Sequence, residues 1–168
     1  MSLLVALQFV CLIVFVLLLV AAAWQDLHTM RIADACSLAI VAAFAVWALS
    51  GLAADKTSLL NIGLAAGCAA AVFAFGALAF ALGALGGGDV KLLAAASLFA
   101  GPALLPDLLM VTALTGSGLG VAIFAGARIG PAAPAGDAAI SARLRRSLPY
   151  GPAIAAGGLW VAAALATS

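Results

Sequence analysis

A chain of 168 residues that is 67% hydrophobic and only 8% charged has too little polar surface to face water as a soluble domain. Its mean hydropathy of +1.31 makes the bilayer the solvent for most of it. A net charge of +1 carries no basic surface for nucleic acid, and Cys11, Cys36 and Cys68 lie inside apolar runs with no CxxC pair, which argues against a zinc site or a disulfide framework. The expected fold class is all-α: a polytopic membrane bundle of about six helices forming one domain over residues 1–168.

The first apolar run, Leu3 to Trp24, has the length a helix needs to cross a bilayer. It lacks a basic n-region and is too long for the h-region of a signal peptide, so it reads as a retained span. A polar stretch follows, Gln25-Asp26-Leu27-His28-Thr29-Met30-Arg31-Ile32-Ala33-Asp34. The second span is expected over about Ala35–Leu52, and the third between the link Ala53–Ser58 and Leu85. A glycine-rich turn, Gly86-Gly87-Gly88-Asp89, opens the fourth span, which starts at about Val90 and stops at Gly101-Pro102. Pro106-Asp107 is expected to open the fifth, ending near Ala127. The longest polar stretch, Arg128 to Pro149, carries Asp137, Arg143, Arg145 and Arg146 and reads as a loop with a basic end near the membrane. Tyr150-Gly151-Pro152 opens a sixth span, with Pro152 in the first turn, where its missing N–H is not needed.

Orientation follows from counting charge. Arg31, Lys91, Arg128, Arg143, Arg145 and Arg146 fall on the first, third and fifth connections, while Lys56 alone falls on the second. The positive-inside bias makes the six-residue side cytoplasmic and places both termini outside.

The six acidic residues are all aspartates. Asp55 and Asp107 sort to the outer side, and Asp26, Asp34, Asp89 and Asp137 to the cytoplasmic side. Asp26 closes the first span and Asp89 opens the fourth, so a rigid bundle can hold them face to face at one depth. Two carboxylates at the edge of a low-dielectric bundle cannot both ionise cheaply and share one proton. The ionised partner then activates water, and the protonated one hydrogen-bonds the carbonyl and assists the leaving amine. With one histidine and no glutamate, a zinc site or a Ser-His-Asp arrangement is hard to assemble from this chain.

Other readings of the same residues stand beside this one. Asp26, His28 and Arg31 suit an interfacial cluster that ends a helix, and Asp89 suits a helix cap. The two aspartates also suit cation binding or proton relay in a small ion- or proton-coupled transporter, and a non-catalytic scaffold would need neither. The glycine run is not a phosphate loop, because Asp89 stands where Lys-Ser/Thr is required. Lys91 reads as an anchor reaching the headgroups, with a second possibility that it supports a neighbouring carboxylate.

Three segments resemble a known family. Gly86-Gly87-Gly88-Asp89-Val90-Lys91 resembles the GxGD motif of the type IV prepilin peptidases, with that family's Val/Ala-Lys following. Asp26 to Ile32 resembles its first aspartate motif, an Asp followed some five residues on by Arg-Ile-Pro-Asn. Leu148-Pro149-Tyr150-Gly151-Pro152-Ala153-Ile154 resembles the opening of its last span. The resemblance implies an aspartic peptidase with Asp26 and Asp89 catalytic, and Gly86, Gly87 and Gly88 admitting the substrate backbone. It implies a bacterial inner-membrane enzyme that removes the basic leader of prepilins or pseudopilins at the cytoplasmic face. The larger members add a domain with paired cysteines and N-methylate the product. This chain resembles the short, peptidase-only kind found with Flp/tight-adherence pili, for which no S-adenosylmethionine site, no other cofactor and no metal is expected. Where the family has Pro-Asn, this chain has Ala33-Asp34, and Asp34 is expected to cap the second helix. Lys91 and Asp34 are thus possible supporting residues. The expected partners are the precursor and the bilayer.

Overall fold

The computed structural model describes residues 3–125 and 149–167. The basic loop expected over Arg128–Pro149 lies outside the described residues except for Pro149, and Asp137, Arg143, Arg145 and Arg146 with it. The described residues form helices joined by short turns and contain no strand: α1 Leu3–Thr29, α2 Asp34–Ala53, α3 Leu59–Ala81, α4 Gly87–Phe124 and α5 Gly151–Thr167.

α1 to α4 are each long and apolar enough to cross a membrane, and α5 is a shorter apolar helix. Their exposed faces are as apolar as their buried ones. Only 17% of the most apolar window of α3 is buried, although that window has a hydropathy of 2.1. Phe73, Phe75, Leu78 and Phe80 point outward from it. A surface of that kind is solvated by lipid and not by water.

Local chemistry sets the helix ends. α1 runs five residues past Trp24, through Asp26, and stops where Met30 enters the left-handed region at φ 52°. α3 begins at Ser58, whose hydroxyl accepts the Asn61 N–H at 3.2 Å, an N-cap of the usual kind. It ends at Ala81, four residues before Leu85, and Gly83 takes the left-handed turn that follows at φ 73°.

The fourth and fifth expected spans are one element with a single break. α4 covers Gly87–Phe124, and only Gly101, at φ 54° and ψ −170°, leaves the helical region. No connector separates the two arms, and Pro106-Asp107 lies inside the second arm and does not open it. Gly101 makes the turn in one residue because it has no Cβ, and Pro102 restarts the helix at a position that needs no N–H. Unbroken, the 38 residues of α4 would reach about 57 Å, well beyond a hydrocarbon core of about 30 Å. The chain instead folds back: Asp89 and Leu93 of the first arm line one cavity with Leu109, Thr112, Gly116 and Gly120 of the second.

The first arm of α4 is the centre of the bundle. Leu92, Ala96 and Phe99 are buried in it, with Phe15 and Leu19 of α1, Ile40 and Phe44 of α2, and Ile154 of α5 around them. The Phe99 ring stacks on Phe15 with centroids 4.2 Å apart and meets Phe44 edge-on at 5.4 Å. α5 packs closely because it is glycine-bearing where it meets its neighbours. A Cβ at Gly157 would lie 2.7 Å from the Leu108 carbonyl oxygen and against the Thr112 hydroxyl. Backbone at that distance cannot step aside. Gly157→Ala is therefore expected to cost about 1–3 kcal/mol, read as a lowered unfolding midpoint in detergent.

Candidate active site

Asp26 lies in the last turn of α1 and is 5% exposed. The link after it is laced back onto the helix. The Met30 N–H donates to the Asp26 carbonyl at 2.9 Å, and the Thr29 hydroxyl contacts the carbonyls of Gln25 at 2.8 Å and Arg31 at 3.0 Å. Gln25 Oε1 accepts the Ala33 N–H at 3.2 Å. This folded link carries Ile32 inward, where it is buried and packs over the start of α4. The position a Cβ would take on Gly88 lies 3.2 Å from Ile32 Cβ and 3.4 Å from its carbonyl oxygen.

Asp89 occupies the third helical position of α4, behind Gly86 as N-cap. It is not the cap itself. Its carboxylate turns back and accepts the Gly86 N–H, the carboxylate half of a capping box. A Cβ on Gly86 would lie 2.6 Å from Asp89 Oδ2, so that carboxylate position requires glycine at 86. Gly87 lies under the Phe80 ring, 3.5 Å from a Cβ position. Gly86 and Gly88 thus make room for the chain's own atoms, a role that their run in the sequence does not reveal, whereas a Cβ at Gly87 would make only ordinary contact.

The second carboxylate is held from the far end of the chain. The Gly151 N–H, at the start of α5, donates to Asp26 Oδ2 at 2.8 Å. A Cβ on Gly151 would fall 2.7 Å from Asp26 Cβ and 2.9 Å from Oδ2. The N-terminus of α5 therefore faces a carboxylate, the favourable sense of the helix dipole. Sequence reasoning used Tyr150-Gly151-Pro152 as the opening of a span and as part of one of the three resembling segments, and gave Gly151 no role of its own. Gly151 and Ile32 fell inside the resembling segments, but neither they nor Gln25 was assigned a contact, because the groups they meet lie outside their own helical turn.

Asp26, Gly86, Gly87, Gly88 and Asp89 line one pocket of about 300 Å³, together with Met30, Arg31, Ile32 and Asp34. The two carboxylates are close enough for the charge of Asp26 to act on Asp89. Asp89 also borders the cavity between the two arms of α4, of about 630 Å³. Each carboxylate is thus oriented by a backbone N–H and faces the other across a small polar space. Such a pair can take a proton from water with one member and give a proton with the other.

Two expectations about neighbouring residues are corrected. Asp34 does not cap α2: Ala33 is the N-cap, no side chain caps it, and Asp34 is the first helical residue. Its carboxylate instead receives Lys91 Nζ at 2.8 Å, so Lys91 is an ion-pair partner and not a free anchor to headgroups. The pair is drawn together because the first turn of α2 lies beside the second turn of α4. With Lys91 47% and Asp34 73% exposed, the pair contributes little. Asp34→Asn is expected to change stability by less than about 1 kcal/mol, as read by thermal unfolding.

His28 is exposed, donates from Nδ1 to the Trp24 carbonyl at 3.0 Å and stacks on the Trp24 ring. Cys11 and Cys36 are buried, and Cys68 is partly so. Among the described residues, no group of three or more His, Cys, Asp or Glu side chains gathers as a metal site.

No curated protein and no solved structure matches the chain. The description of the type IV leader peptidase family does, over residues 13–121. That match takes in both aspartates and the three glycines, and stops short of α5. Because it covers well over half of the sequence, the chain belongs to the type IV leader peptidase family.

Proposed function

We propose that this protein is a membrane-embedded aspartic endopeptidase in which Asp26 and Asp89 are the catalytic pair. The observation that carries the reading is the single polar pocket that holds both carboxylates, one from the end of α1 and one from the start of α4. In a low-dielectric bundle the pair shares one proton. The ionised carboxylate takes a proton from a water molecule, whose oxygen attacks the carbonyl carbon of the scissile bond. The protonated carboxylate hydrogen-bonds the carbonyl oxygen as it becomes negative. The tetrahedral intermediate collapses as a proton passes to the amide nitrogen and the C–N bond breaks. Gly86, Gly87 and Gly88 form a low wall of the same pocket, where a substrate backbone can come close to Asp89. Asp34 and Lys91 support the rim.

The substrate in this reading is a prepilin or pseudopilin of the Flp type, bearing a short basic leader ahead of an apolar helix and cleaved at the cytoplasmic face of the inner membrane. The folding back of α4 supports six crossings, with its two arms as the fourth and fifth and α5 as the sixth. The positive-inside bias then places both termini outside. The reading assigns peptidase activity alone, without methyl transfer and without a cofactor.

The test is incubation of the purified protein in lipid vesicles with such a precursor, followed by mass measurement. Two products that divide the precursor after its basic leader are expected. An intact precursor, with ion flux through the same vesicles, would replace the peptidase reading with a transporter.

A further inference from the structure

A chain that is cut at Asp89 must extend to both sides of the cut bond, and two unlike spaces open from that carboxylate. Of the residues lining them, Asp89 alone belongs to both. One is the polar pocket of about 300 Å³, with Asp26, Arg31 and Asp34 around it. The other is the cavity of about 630 Å³ between the arms of α4, bordered also by Tyr150 and by Ile154 of α5.

The second space is apolar beyond Asp89. Leu93 and Leu109 each stand eight residues from the break at Gly101, and Asp89 and Ala113 each stand twelve. Because the arms fold back on one another, Leu93 and Leu109 lie at one level, about 6 Å nearer the break than Asp89. Ile154 lines the same cavity. One flank is open: Leu109 is 40% exposed, and Ala113 and Ser117, one and two turns on, are exposed as well. A segment already in the bilayer can therefore enter sideways. Gly116 lies behind this flank, and its Cβ position leads to Tyr150 and Ala153. The polar pocket has the opposite character. Asp34 there is 73% exposed, and Lys91 takes only its Oδ2, which leaves Oδ1 to accept from a cation.

We propose that the cavity between the arms of α4 binds the apolar helix of the peptide substrate directly after the scissile bond, while the basic leader runs past Gly86, Gly87 and Gly88 toward Asp34. This rests on the reading of Asp26 and Asp89 as the catalytic pair, and it fixes the direction of the substrate through the site. The first turns of the helix pack on Leu93, Leu109 and Ile154, and an ammonium group of the leader meets Asp34. The opposite direction would press a cationic leader against those three aliphatic side chains and strip it of water, at high cost. A lipid tail fills the cavity without presenting an amide to Asp89, so it can only compete with the substrate. Leu109 is thus a specificity-determining residue that carries no chemistry.

The test uses the full-length protein in lipid vesicles and a synthetic precursor with a Lys-Lys leader ahead of an apolar helix of about twenty residues. In Asp89→Asn, which retains the uncut precursor, p-benzoylphenylalanine is introduced in place of Leu109 or of Asp34, and the adducts formed on irradiation are mapped by mass. The probe at 109 is expected to attach to the first turns of the apolar helix, and the probe at 34 to the leader. With Asp89 intact, Leu109→Asn is expected to raise KM about tenfold, the effect of losing one apolar side-chain contact, and to change kcat far less. Leader adducts at 109, lipid adducts there in place of peptide, or an unchanged KM in Leu109→Asn would overturn the inference, while cleavage by the unsubstituted protein keeps the peptidase reading. Failure of the unsubstituted protein to cut the precursor would remove that reading and this inference together.

Discussion

Asp89→Asn and Asp26→Asn are each expected to lower leader removal by at least about 10²–10⁴-fold, the range contributed by a positioned acid or base. Both substitutions keep size and shape. The amide oxygen that Asp89→Asn introduces can still accept the Gly86 N–H. That of Asp26→Asn can still accept the Gly151 N–H, which lies 2.8 Å from the carboxylate. The fold should therefore survive, with unfolding midpoints close to that of the parent. What is lost is the shared proton: an amide neither takes a proton from water nor supplies one to the leaving amine. The two residues act as a unit, so the double variant should be scarcely slower than either single one. The readout is the rate at which the cleaved product appears by mass. Processing at the parental rate by either folded variant would remove that residue from the catalytic pair.

The second large effect is expected at a residue that carries no chemistry. Gly151→Ala places a methyl group 2.7 Å from Asp26 Cβ and 2.9 Å from its Oδ2. The Cβ cannot move without displacing the end of α1 or the start of α5, and the carboxylate oxygen can clear the methyl group only by turning away from the Gly151 N–H. The Asp26 carboxylate should lose its backbone donor and shift by a fraction of an ångström to an ångström, and misplacement of that size costs about 10²-fold in rate. A stability loss of about 1–3 kcal/mol should accompany it. Gly116→Ala is the matched comparison. Its methyl group would find its nearest neighbours, Tyr150 and Ala153, at an ordinary contact distance of 3.6 Å, and should leave both rate and stability near the parental values. If Gly151→Ala cleaves as fast as Gly116→Ala, the donor from α5 has no part in placing Asp26.

Composition and hydropathy were enough to read an all-helical membrane chain, because in lipid every backbone polar group must be satisfied inside the segment. The Gly-Gly-Gly-Asp run was equally plain in the sequence. Its meaning was not. The run reads as space left for a substrate, whereas Gly86 and Gly88 also make room for Asp89 Oδ2 and Ile32. Asp34 shows the limit of local rules most clearly. An aspartate at the start of a helix reads as a cap, yet Lys91, from a helix distant in sequence, holds its carboxylate at 2.8 Å. The break in α4 was half legible. Gly101-Pro102 marks it, but the return of the chain within a single residue depends on a backbone angle that no composition reveals.

Two things followed from the amino-acid order alone. The apolar runs commit the chain to helices in a bilayer, and the aspartate motifs, with the glycines before Asp89, mark it as a leader-peptidase relative. Both are properties of neighbouring residues. The tertiary structure decided which groups meet: Asp26 with Asp89 in one pocket, Gly151 behind Asp26, and Lys91 on Asp34. The reason is physical. Helix formation in lipid is settled within each segment, but the separation of two side chains on different helices depends on how closely the helices pack. In this bundle that closeness is set by missing Cβ atoms at positions such as Gly88, Gly151 and Gly157.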